Sequence, residues 1–232
     1  MSFDEELKKE VRSYFRTKWD VSNTKSIPKT EDIGLGNKAK KSELTMLYAD
    51  MAESTNLVDN YDPLYAAEIY KSFLYVCCKI IRRNGGDLVS FDGDRVMGAF
   101  IGENKNSIAA KTALNINWAI KDIVQVQHDE YYRGEGIKLN YSIGIDYCEH
   151  HIVRTGMRNN NDLLWVGKAA NYAAKITSHN WDPYHTIISS RVYSRLNESS
   201  KFDAEGKNMW HKDYSDAISE TVYKSNYYWE VT

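Results

Sequence analysis

Leu44-Thr45-Met46-Leu47-Tyr48-Ala49-Asp50 is a short apolar run that ends on a carboxylate. Its length and composition predict a buried strand over 44–49, with Asp50 at the edge of a sheet. The loop that follows, Met51-Ala52-Glu53-Ser54-Thr55, leads toward a helix. Short connections of this kind offer backbone N–H groups and a helix N-terminus to phosphate, which makes Ser54 and Thr55 candidate substrate contacts.

Downstream, strand and helix signals alternate. Asp62-Pro63 pairs an N-cap with a first-turn proline, and Asn84-Gly85-Gly86 is a C-terminal stop, so a helix is predicted between them. Strands at 87–89 and 95–100 flank Asp92-Gly93, a hairpin-turn signal. A helix follows over 106–127, with apolar residues at Ile108, Ala109, Ala113, Ile116, Ile120 and Ile123. Residues 138–147 alternate Leu139, Tyr141, Ile143 and Ile145 as a strand would. The rest reads as a strand at 163–166, a helix over 167–179, a strand at 186–189, a short helix at 190–196 and a terminal strand at 221–231. This order predicts an α+β fold, a mostly antiparallel sheet covered by helices. Upstream, Phe3, Leu7, Val11, Tyr14, Phe15 and Trp19 have helical spacing. Residues 20–42, polar and rich in Lys, Ser, Gly and Asn, read as a linker. The expected organisation is an N-terminal helix and linker over 1–42 and a compact domain over 43–232.

Composition narrows the function classes. The chain has 232 residues, 42% hydrophobic and 27% charged, with a formal net charge of −2. That balance argues against a bulk nucleic-acid or membrane binder, so an anionic substrate needs a few placed cations and a metal. Cys77, Cys78 and Cys148 form no paired framework, and no run of about 18 apolar residues suggests a membrane span. The charged start MSFDEELKKE lacks a signal peptide's apolar region, and the expected location is cytoplasmic.

Asp92-Gly93-Asp94 sits at the tip of the predicted hairpin, where Gly93 lets the chain turn and Asp94 can point back across the sheet. Asp50 and Asp94 converge if their strands are neighbours. Two close carboxylates repel unless a cation lies between them, and magnesium or manganese is the hard-ligand answer. Taken singly, an Asp at a strand end is usually an N-cap and Asp-Gly usually a turn. The joint context is what points to a site.

That context resembles the class III adenylyl/guanylyl cyclases. Tyr48-Ala49-Asp50-Met51 is similar to the family's metal-binding strand, Gly93-Asp94 to its hairpin and Ile143-Gly144-Ile145 to a later strand. Gly167-Lys168-Ala169-Ala170-Asn171-Tyr172-Ala173-Ala174-Lys175 is similar to its catalytic helix. The resemblance covers roughly 43–232 and implies a ferredoxin-like, palm-type core. It implies that Asp50, Asp94 and the Met51 carbonyl bind two divalent ions, Mn2+ or Mg2+, and that Asn171 orients the ribose. Lys175 stands where the family has an arginine that stabilises phosphate charge; lysine keeps the charge and loses the bidentate fork. Lys224 and Lys212 are both candidates for the triphosphate lysine. The resemblance also implies a homodimer with composite active sites acting on a nucleoside triphosphate.

The base-reading positions depart from the purine pattern. Ser90 stands where adenylyl cyclases have a lysine, and Leu164 where they have Asp or Thr. Without polar partners a purine is poorly discriminated. Tyr48 shares a strand face with Asp50, where its ring either narrows the pocket toward a smaller base or packs in the core. Short cyclases of this pattern resemble the pyrimidine cyclases of bacterial Pycsar anti-phage systems. That resemblance implies conversion of UTP to cyclic UMP, or of CTP to cyclic CMP, read by a separate effector. A purine cyclase and an inactive nucleotide-binding relative are the alternatives. Arg82-Arg83-Asn84-Gly85-Gly86-Asp87 superficially matches a diguanylate cyclase signature and reads better as a helix stop. Cys148-Glu149-His150-His151 reads as a hairpin loop rather than a zinc site. Trp181, Trp210 and Trp229 read as core and dimer interface.

Overall fold

The computed structural model describes residues 1–231 apart from Glu53, Glu135 and Arg158. Glu53, within the loop expected to bind phosphate, thus lies outside the described residues. In chain order the strands are β1 (Asp20–Asn23), β2 (Lys38–Met51), β3 (Asp87–Asp92), β4 (Arg95–Phe100), β5 (Tyr141–Met157), β6 (Asn160–Val166), β7 (Thr186–Ser189), β8 (His211–Ser215) and β9 (Glu220–Ser225). The helices are α1 (Phe3–Arg16), α2 (Ser54–Asn60), α3 (Pro63–Arg83), α4 (Lys105–Ala119), α5 (Gln125–Tyr131), α6 (Lys168–Thr177), α7 (Ser190–Tyr193) and α8 (Glu198–Lys201). A π-helical stretch, Ile120–Val124, joins α4 to α5.

The chain divides into two units: Met1–Glu43 with Glu149–Gly167, and Leu44–Cys148 with Lys168–Thr232. In the first, β1 runs parallel to the start of β2, and the end of β5 forms a hairpin with β6. Helix α1 carries a reciprocal Ser2–Glu5 capping box and has no buried residue. The Asn37 amide donates to the Tyr14 and Thr17 carbonyls and ties down its C-terminal end. Two expectations are corrected here. Residues 20–42 are not a plain linker: they carry β1, a 3-10 turn (Thr30–Asp32) and the first residues of β2. Cys148-Glu149-His150-His151 is not a loop but extended chain within β5, because β6 pairs with it through Val166 opposite His151. Polar residues on a two-stranded ribbon give no period-2 apolar signal.

The second unit holds the α+β core expected from the element order. Its strands run β3-β4-β2-β5-β7-β9-β8, antiparallel at β3–β4, β4–β2, β7–β9 and β9–β8, and parallel at β5–β7. Helix α3 forms where its caps predict. Asp62 accepts from the Leu64 N–H at 2.8 Å, Pro63 fills the first turn, and Gly85 beyond its end takes a φ of 79°. From its buried stripe, Ile69, Phe73, Cys77, Ile80 and Ile81 pack with Leu47 and Ala49 of β2 and Ala109, Ala113 and Ile116 of α4. Each large apolar side chain so buried contributes about 1.5–3 kcal/mol. Thr45 donates to Asn106 of α4 across 3.0 Å, so the odd-numbered residues of β2 face these helices. The even-numbered Met46, Tyr48 and Asp50 face the other side of the sheet. Strand β8 and helix α2 were not anticipated. Trp181 and Trp210 are buried, as expected of core residues. Among the described residues no helix is long and apolar enough to cross a membrane.

Candidate active site

Strand register assembles the site. Asp50 lies opposite Arg95 of β4, and Arg95 opposite Asp92 of β3. One level along, Tyr48 lies opposite Met97, and Met97 opposite Ser90. Directly paired residues share a face, so Asp50, Arg95, Asp92, Tyr48, Met97 and Ser90 line the side away from α3 and α4. Gly93, first of the two turn residues between β3 and β4, has a φ of 61°, open to glycine at little cost. That turn returns Asp94 toward the end of β2.

The two aspartates feel each other. Burial pushes the Asp50 carboxyl up to about 6; Arg95 draws it down, Asp94 raises it and the Thr177 hydroxyl lowers it. Arg95 Nε lies 3.0 Å from Asp50 Oδ1, and Thr177 donates to Oδ2 at 3.3 Å. Asp50 Oδ1 is nonetheless buried without a well-directed hydrogen bond, and so is Asp94 Oδ2. Buried carboxylate oxygens without donors are costly unless a cation takes their lone pairs. One such oxygen from each aspartate suits a hard divalent ion. Among the described residues no cluster of three or more His, Cys, Asp or Glu side chains could hold a metal, so phosphate oxygens and backbone would have to complete the shell.

Helix α6 lies on the same face. A Cβ on Gly144 of β5 would come within 2.2 Å of the Ala173 carbonyl oxygen, so only glycine lets α6 settle this close to the strand. Cys148 Sγ accepts the Ala169 N–H at the start of the helix, and Thr177 at its end reaches Asp50. Asn171 and Lys175 are exposed on α6. At about 100° per residue they stand roughly 40° apart around the helix, and Lys175 is roughly 160° from Thr177. The structure therefore does not bring Lys175 to the Asp50 of its own chain.

A cavity of about 330 Å³ opens beside Asp50, lined by Met51, Ser54, Thr55, Arg95, Thr177, His179, Trp181, Tyr184 and His185 among others. Ser54 opens α2, and the Tyr70 hydroxyl donates to its carbonyl. Lys224 of β9 pairs with Asp213 and lies 4.6 Å from the Tyr184 ring centre, beside this cavity. Lys212 is paired in register with Tyr223, whose ring stacks on Tyr193 of α7. Leu164 sits exposed on β6, opposite Val153, in the first unit. Tyr48 is half-buried, and its hydroxyl pKa is raised by burial and by Asp92.

The adenylate and guanylate cyclase catalytic domain model matches residues 37–213, a span that takes in the Asp50–Asp94 pair and α6. The chain belongs to this cyclase family. A uridylate cyclase of Xanthomonas perforans is 40% identical over 233 residues, covering both chains completely. One of Burkholderia cepacia is 39% identical with the same full coverage. Among solved cyclases, the guanylyl cyclase Cya2 superposes with a TM-score of 0.67 at 16% identity, over 83% of this chain and 95% of its own, which speaks to fold alone.

Within this cyclase domain, sequence reasoning missed Arg95 and Thr177. Arg95 was readable in principle, since a two-residue turn at Gly93-Asp94 puts it opposite Asp92. Thr177 carried no signal; it meets Asp50 across 127 residues of chain.

Proposed function

We propose that the chain is a uridylate cyclase, forming 3′,5′-cyclic UMP and pyrophosphate from UTP, with its catalytic domain at 43–232. One observation carries the chemistry: Asp94 presents a buried carboxylate oxygen without a hydrogen-bond donor close enough to Asp50 to raise its pKa, and Asp50 lines the cavity. The choice of base draws on the full-length likeness to uridylate cyclases and on Tyr48, whose ring shares the Asp50 face.

Asp50, Asp94 and the Met51 carbonyl would hold two Mn2+ or Mg2+ ions. Bound there, such ions lower the pKa of the ribose 3′-hydroxyl and neutralise charge on the leaving pyrophosphate. The chain's own residues do the rest. Ser54 and Thr55 flank the phosphate path, and Lys224 adds a cation on the same face. Tyr48, on the same face as Ser90 with Met97 between them, narrows the base position. Asn171 orients a ribose and Lys175 offsets charge on the reacting phosphate. Their projection away from their own Asp50 supports a homodimer in which each α6 serves the other protomer's aspartates. Product release to a separate effector in anti-phage defence, within the cytoplasm, completes the proposal.

Incubation with manganese and each of the four nucleoside triphosphates, followed by chromatography of the products, tests it. Cyclic UMP from UTP is expected. Cyclic AMP or GMP as the main product would overturn the base assignment, and no product from any nucleotide would favour an inactive relative.

A further inference from the structure

We propose that Arg95 is a tethered counter-ion, one that holds Asp50 while the site is metal-free and passes to Asp92 when a divalent cation binds. The inference rests on the metal reading above. Arg95 stands on β4 directly between two carboxylates, Asp50 on β2 and Asp92 on β3. Neighbouring strands lie only about 5 Å apart, so a guanidinium reaches either side by rotating its side chain. In this structure Nε stands 3.0 Å from Asp50 Oδ1.

The two partners differ in freedom. The Asp50 side chain is 9% exposed and fixed by Thr177, whereas that of Arg95 is 43% exposed. The arginine is therefore the group that moves. The contact is a single one, Nε to Oδ1 at 3.0 Å rather than a bidentate fork, so one charge-assisted contact is lost when it leaves. A divalent ion on Oδ1 and a guanidinium at contact distance from the same oxygen repel each other, and the doubly charged ion wins the carboxylate. Asp92, exposed on the adjacent strand, takes the displaced arginine without burying a charge. Arg95 thus keeps the buried Asp50 charge compensated in the metal-free protein, and cation binding proceeds by displacing it.

The test is Mn2+ titration of the full-length protein without nucleotide, with the free ion read by electron paramagnetic resonance. Arg95→Ala and Arg95→Gln, which remove the competitor, should bind Mn2+ roughly three- to tenfold more tightly than wild type. Arg95→Lys should stay near wild type, and Asp92→Asn, which removes the receiving carboxylate, should bind more weakly. In thermal melts with chelator, Arg95→Gln should unfold below wild type, and the gap should close with added Mn2+. Mn2+ affinity in Arg95→Gln equal to or weaker than wild type, with Asp94→Ala still abolishing binding, would overturn the role of Arg95 and leave the metal reading standing. Unchanged binding in Asp94→Ala would overturn the metal reading itself. Binding by Arg95→Gln but not by wild type would support the proposal; binding by neither would sink it.

Discussion

At Asp94 the functional demand and the folding demand oppose each other. Its Oδ2 is buried without a donor, and its charge adds to the cost of ionising Asp50. A carboxylate kept in that state gains nothing for the apo fold, which suits a ligand for a cation. Asp94→Asn keeps shape and burial while removing the charge. It should leave the melting temperature near wild type and lower cyclic product formation by at least about 100-fold, measured in paired calorimetry and turnover assays. Tyr48 makes a second point at this scale. Its ring shares a face with Asp50 and Ser90, so Tyr48→Ala should widen the base position. The ratio of kcat/KM for ATP or GTP to that for UTP should rise by roughly tenfold, as expected when a pocket loses a size constraint. An unchanged ratio would return Tyr48 to a packing role.

Among elements, α6 is held to the sheet by the absence of a side chain. An added methyl at Gly144 meets backbone, the Ala173 carbonyl, and backbone cannot step aside as a flexible side chain would. Gly144→Ala should cost about 1–3 kcal/mol, seen as a fall of a few degrees in melting temperature, and should loosen Thr177 from Asp50. Activity should drop further than stability alone predicts at a temperature where the variant is folded. Elements with chemical punctuation were legible from sequence. Asp62-Pro63 and Asn84-Gly85 bracket α3, and the Asp92-Gly93 signal lies within one residue of the β3–β4 turn at Gly93-Asp94, because caps and turns are decided locally. Strand β1 was not legible: Asp20, Val21, Ser22 and Asn23 are all exposed, and only pairing with Lys38, Ala39, Lys40 and Lys41 makes them a strand. The far end of β5 failed to register because Cys148-Glu149-His150-His151 has no alternation of apolar and polar residues, although His150 is buried. Asp50 and Asp94 could be named from sequence motifs, whereas Thr177 depends on how α6 lies across β5, a tertiary fact.

For the whole molecule, the geometry of α6 bears on how many chains a working site needs. Thr177 contacts the Asp50 of its own chain, and Lys175 projects roughly 160° away around the same helix. Asn171 keeps company with Lys175, and both are exposed. A rigid ten-residue helix cannot present both faces to one set of aspartates. If each α6 serves the other protomer's aspartates, as proposed, Asp94 and Asn171 of one working site come from different copies. Asp94→Ala and Asn171→Ala homodimers should then each be nearly inactive. Mixed in equal amounts and allowed to exchange, they should form heterodimers in which one of the two sites has both residues intact. Random pairing makes half of the dimers heterodimeric, so the mixture should recover about a quarter of wild-type turnover, reading the dimer as a symmetric pair of composite sites. Recovery should track protein concentration as dimers form. If the mixture stays as inactive as its components, while size-exclusion chromatography confirms exchange, both residues serve a site within one chain and α6 must rotate to bring them there.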